Sequence, residues 1–150
     1  MVRIQAAIAL LHGGDRAGAR AAFERIWSEI HADPDPLHAC TLCHFMADAQ
    51  DDVAAELEWD LRALAAAERV SRERARDHHP SLSIQSFFPS LHLNLGDDYL
   101  RLGDLDNAAR HAAAAQAVLA DLPETELGGM IRGGIERLVS RLSEGKEGTS

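Results

Sequence analysis

The chain is poor in the residues that build sheets and crosslinks. Aromatic residues make up 5% of it, with a single tyrosine, and Val and Ile are sparse, so the β-branched and aromatic runs of strands are missing. Two cysteines are too few for a disulfide framework and stand as thiols in a reducing compartment. No stretch approaches the roughly 18 uninterrupted apolar residues that a membrane-spanning helix requires. Positive charge is scarce as well. Fifteen Lys and Arg face 24 Asp and Glu, and the formal charge of −9 argues against nucleic acid as a partner while leaving cationic or neutral ligands open. Lysine itself is nearly absent, Lys146 being the exception among those fifteen, and with abundant Ala and Leu this marks a GC-rich bacterial coding bias. The opening run MVRIQAAIALLHGG is short, carries Gln5 and His12, and ends in Gly-Gly-Asp-Arg without a small-residue cleavage motif. It reads as a first helix, and the expectation is a cytoplasmic protein with no membrane contact.

What is present is helical periodicity. Apolar residues recur at intervals of three and four almost throughout, which predicts an all-α chain, and 150 residues is the length of one domain. The pattern also repeats. In LHLNLGDDYLRLGDLDNAARHAAAAQAVL, the residues Leu95-Gly96, Tyr99, Gly103 and Ala108 mark small, aromatic, turn and small positions. Ala7, Leu10, Gly14, Ala19 and Phe23 occupy the same places in AAIALLHGGDRAGARAAFERIW, with Phe23 adding an aromatic. Cys43, Met46, Gln50, Ala55 and Trp59 follow them in a looser middle copy. Small residues at these positions let two helices approach closely, and a turn glycine can take the positive φ that ends the first of them.

This spacing resembles the tetratricopeptide repeat family, in three degenerate copies over residues 2 to 122. The resemblance implies antiparallel helical hairpins stacked as a short right-handed superhelix with a concave ligand groove. The turn positions 14 and 50 are 36 apart, close to the usual repeat of about 34, whereas 50 and 103 are 53 apart. An insertion of about 19 residues, within 71 to 90, therefore separates the second and third hairpins. A long helix is expected to about Asp77, Pro80 is placed to open another, and Pro89 should either kink a helix or mark the meeting of two. Beyond Pro123, the stripe Leu127, Ile131, Ile135, Leu138 and Leu142, flanked by Met130, predicts a capping helix. Its Gly128, Gly129, Gly133 and Gly134 would admit the Ala-rich helix before it. The expected domain is 1–143, with 144–150 as a disordered tail.

The segment LHACTLCHFMAD packs two cysteines, two histidines and an aspartate into twelve positions. CTLCH has the spacing of a haem attachment site, but that chemistry belongs to exported chains, and the repeat register makes Cys43 a small packing residue. A Cys40–Cys43 disulfide is disfavoured because i, i+3 Cβ atoms on a helix lie about 5 to 6 Å apart, against about 3.8 Å for a bridge. Cys40, His44 and Asp48 fall at i, i+4 and i+8, so they share one helix face and are the candidates for a thiol relay, although no oxyanion donor accompanies them. His44, His78, His79 and His92, with Cys40 and Asp48, are the candidates for a metal site closed by the 71–90 insertion. Neither a second Cys-x-x-Cys to pair with Cys40 and Cys43 nor a His-x-x-x-His supports it, and no cofactor is expected. Arg69, Arg72 and Arg76 form a basic stripe that reads as a solvated face beside Glu68, Glu73 and Asp77. Phe87, Phe88 and Pro89 form an apolar knot, which reads as core or, if exposed, as a homodimer surface.

From the resemblance, the groove would be lined by Ile4, Ile8, Leu11 and His12 of the first hairpin. The second would add Cys40, Thr41, His44 and Asp48, and the third Ser90, Leu93, Asn94, Asp97 and Arg101. The Lys-Asn-Arg clamp by which some family members hold chaperone C-termini is missing, since Ile4 and Ile8 stand at its early positions. The expectation is a protein- or peptide-binding module, leaning away from an enzyme, with a small-molecule, metal or catalytic site at Cys40, His44 and Asp48 closed by the 71–90 insertion as the alternative.

Overall fold

The structure, a computed structural model, describes residues 2–30, 36–76, 87–122 and 124–147, and among these it is all helix and turn with no strand. Helices α1 (Val2–His12) and α2 (Arg16–Ile30) form one antiparallel pair, and α3 (Pro36–Asp48) and α4 (Val53–Arg76) a second. Helices α5 (Phe87–Arg101) and α6 (Leu105–Ala117) form a third, followed by a short 3-10 turn (Leu119–Asp121) and α7 (Glu126–Glu147). The chain divides into two compact units, Met1–His78 and His79–Ser150. No helix among the described residues is long and apolar enough to cross a membrane.

Local chemistry sets the helix ends. Gly14 and Gly103 take φ of 92° and 83°, the left-handed region that only glycine enters without steric cost. Around each, the chain closes in the same way. Gly14 N–H donates to Leu11 O at 3.1 Å and Asp15 N–H to Leu10 O at 2.9 Å, while Gly103 donates to Leu100 O at 3.1 Å and Asp104 to Tyr99 O at 2.9 Å. The aspartate that follows then caps the next helix. Asp15 Oδ1 accepts from Gly18 N–H at 2.9 Å, and Asp104 Oδ1 accepts from Asn107 N–H at 3.2 Å.

The middle turn lacks the glycine and is wired differently. Its cap is Asp52, one residue later, accepting from Ala55 N–H at 3.2 Å, and the Gln50 side-chain amide donates to Met46 O at 3.0 Å. The carbonyls at the end of α3 take donors from α2: Arg16 reaches Asp48 O and Gln50 O, and Arg20 reaches Ala49 O. Carbonyls left over at a helix end are thereby satisfied by the neighbouring hairpin.

In the first unit, Ile4, Ala7, Ala19, Phe23, Ile26, Leu42, Met46 and Ala49 make one core, with Trp27 and Trp59 packed against it. The two tryptophans meet edge to face at 5.3 Å, and the Arg62 guanidinium sits 4.4 Å over Trp59. Cys43 is buried where a small packing residue was expected. The α4 helix runs to Arg76, close to the expected end.

In the second unit, Gly96 lets two neighbours in: a Cβ there would stand 2.6 Å from Leu138 Cδ2 and 3.4 Å from Ala108 O. Pro89 is buried within α5, and the residues before Phe87, where the expected kink or meeting of two helices would be read, lie outside the described residues. Gly134 of α7 receives Leu93 of α5 and not the Ala-rich α6, since a Cβ on it would lie 2.8 Å from Leu93 Cδ2. The α7 stripe is buried at Ile135, Leu138 and Leu142, but Leu127 is 63% exposed and Met130 70%. The helix continues through Glu147, into the stretch expected as a tail. Residues 77–86 of the 71–90 insertion, Pro80 among them, lie outside the described residues.

Candidate functional site

On the α1 and α3 side of the first unit, apolar and titratable groups alternate. Ile8 and Leu11 are half-buried against the core and His12 is exposed. On α3, Thr41 and His44 are half-buried and Asp48 is exposed, the Thr41 hydroxyl donating to Leu37 O at 3.0 Å. Phe45, which the sequence pattern does not single out, joins the two helices. The His12 ring stands edge-on to it at 6.3 Å and the His44 ring at 5.1 Å.

Two residues projected onto this face lie inside the unit instead. Ile4 is 3% exposed within the core, and Cys40 is fully buried. A projection of 100° per residue separates i from i+4 by only about 40°, so a small error in helix phase moves a residue from surface to interior.

The charge states follow from this placement. Burial pushes the Cys40 thiol up to about 12, away from the thiolate a nucleophile needs. Loss of water pushes His44 down to about 4, which makes it a neutral imidazole at neutral pH and a weak base. Asp48 is raised to about 6 by partial loss of water first and by the Glu56 charge second, while His12 and Arg16 oppose the rise. Its carboxylate remains exposed, so water screens part of that shift. With a protonated thiol and a weakly basic imidazole, the Cys40, His44 and Asp48 series is poorly suited to act as a relay.

The third-hairpin candidates are engaged with one another. Arg101 bridges Asp97 at 2.9 Å and the buried Asp98 at 2.9 Å, and Arg141 of α7 also reaches Asp97, at 3.0 Å. Ser90, Leu93 and Asn94 are half-buried. His92 meets His111 of α6, a residue not singled out from the sequence. Arg69 and Arg72 are exposed, whereas the Arg76 side chain, His78 and His79 lie outside the described residues. No family model, curated protein or solved structure matches this chain.

Proposed function

We propose that the chain is a bacterial, cytoplasmic tetratricopeptide-like module that binds a peptide segment on the α1 and α3 face of its first unit. Phe45 carries the reading. It is a partly exposed aromatic with Ile8 and Leu11 nearby in the same cluster, and His12 and His44 stand at its edges. A mixed face of this kind, with apolar anchors beside polar direction-setting groups, is how a rigid helical surface takes up an extended or helical segment. The preferred ligand pairs an apolar residue with a basic one, because the Glu56 charge stands close enough to raise Asp48 and the chain carries −9 overall. Arg101, held by Asp97 and Asp98, is occupied within the fold, so the reading rests on the first unit.

Selection from a displayed random-peptide library tests this. Wild-type protein should enrich an apolar-basic motif, and the Leu11→Asn, Asp48→Asn double variant should lose that enrichment while its thermal melt stays within a few degrees. No enrichment, or equal enrichment by the variant, would refute the reading.

A further inference from the structure

Across the α5–α6 hairpin, two imidazoles meet nitrogen to nitrogen. His92 Nδ1 lies 3.1 Å from His111 Nδ1, with ring centroids 5.3 Å apart and the ring planes 28° from parallel. Each ring has an aromatic neighbour: Phe88 lies 6.3 Å from His92, and Tyr99 lies 5.6 Å from His111 and within 10° of parallel to it. Both histidines are half-buried, and the hairpin that carries them is drawn tight where Gly96 passes close to Ala108.

Two neutral imidazoles hold this approach only if something lies between the nitrogen lone pairs, either one ring's own Nδ1–H or an ion that accepts from both. At a metal–nitrogen length of about 2.0–2.1 Å, a tetrahedral angle places two such nitrogens about 3.3–3.4 Å apart. The observed separation is a few tenths of an ångström shorter, within reach of a small rotation of the rings. We propose that His92 and His111 bind one transition-metal ion of the zinc, copper or nickel class through their Nδ1 atoms, the remaining positions being filled by water or by an incoming donor.

Three features favour this. Both donors project from adjacent helices of one hairpin, so their spacing is set by the scaffold and not by a loop. Their aromatic neighbours restrict ring rotation, which lowers the entropy lost on binding. Burial, then His92 and Arg110, hold His111 below its ordinary pKa, so at neutral pH it is the free base that a metal requires. Arg110 is the opposing charge, and it is exposed to solvent, which screens it.

The test uses tag-free protein stripped with EDTA and titrated calorimetrically with zinc, nickel and copper(II) salts at pH 7.5. One equivalent should bind saturably, and His92→Gln or His111→Gln should weaken binding by about 10-fold or more. His38→Gln should leave it unchanged. Long-range nitrogen-15 spectra of the wild type read the same question without a variant: metal should shift the Nδ1 resonances of both histidines together. Absence of saturable binding, binding retained in His111→Gln, or spectra showing only a shared proton that metal does not displace would each overturn the proposal.

Discussion

The Gly14 and Gly103 turns close by backbone bonds and a local aspartate, whereas the Gln50 turn, besides its own Asp52 cap, has the carbonyls at the end of α3 met by arginines of another hairpin. Where glycine is available, a helix end can be finished within a few residues of chain. Where it is replaced, the carbonyls at the end of α3 are met by Arg16 and Arg20 of α2, which makes the second hairpin's geometry dependent on the first. The same two hairpins are joined again by Trp27 and Trp59, with Arg62 stacked on the pair.

Acid should expose that dependence most strongly, because α3 carries both the borrowed turn and the two most informative titrations of the face. His44 has a folded pKa of about 4 against an ordinary 6.5, so its stabilising share is complete above 6.5 and is lost as pH falls toward 4. Asp48, raised to about 6, works in the opposite sense, costing stability at neutral pH and relieving that cost as pH falls through 6 toward 3.8. Chemical denaturation from pH 7 to 4 should therefore show stability falling in the wild type, a flatter profile in His44→Gln and a steeper one in Asp48→Asn.

Next in size are the glycine turns. Gly14→Val or Gly103→Val should cost about 1–2 kcal/mol in urea unfolding, because a β-branched residue is forced to positive φ, while Gln50→Val should cost clearly less. Equal costs at all three sites would erase the distinction between the turns. Removing the borrowed caps with Arg16→Ala and Arg20→Ala should cost about 1 kcal/mol or less, since both arginines keep solvent access. Amide exchange should quicken at the end of α3 and not around Gly103. Smallest is Arg62→Ala, about 0.5–1 kcal/mol from the lost cation–π contact, visible as a shift in tryptophan emission.

Sequence carried the local rules well and the cross-chain ones poorly. The helices, the three hairpins, the positive φ at Gly14 and Gly103 and the burial of Cys43 were legible because each depends on a few neighbouring residues. Ile4 and Cys40 were placed on a groove face because periodicity gives relative angles along a helix but not which side meets a neighbour. The helix through Glu147 fits residues of good helix propensity, Glu144, Lys146 and Glu147, that composition alone assigns to a tail. Phe45 and His111 went unnoticed for a common reason. Each meets a ring from a neighbouring helix, Phe45 that of His12 and His111 those of His92 and Tyr99, and spacing along one helix does not announce such a partner.

Trp27 and Trp59 are the chain's two tryptophans and both belong to the first unit, whereas the single tyrosine, Tyr99, belongs to the second. Each unit thus holds a different chromophore. The edge-to-face indole pair should give an exciton signature in circular dichroism that disappears when α2 and α4 separate, and tyrosine emission should follow the His111 stack on its own. One unlabelled sample can report whether the two units melt together or in sequence.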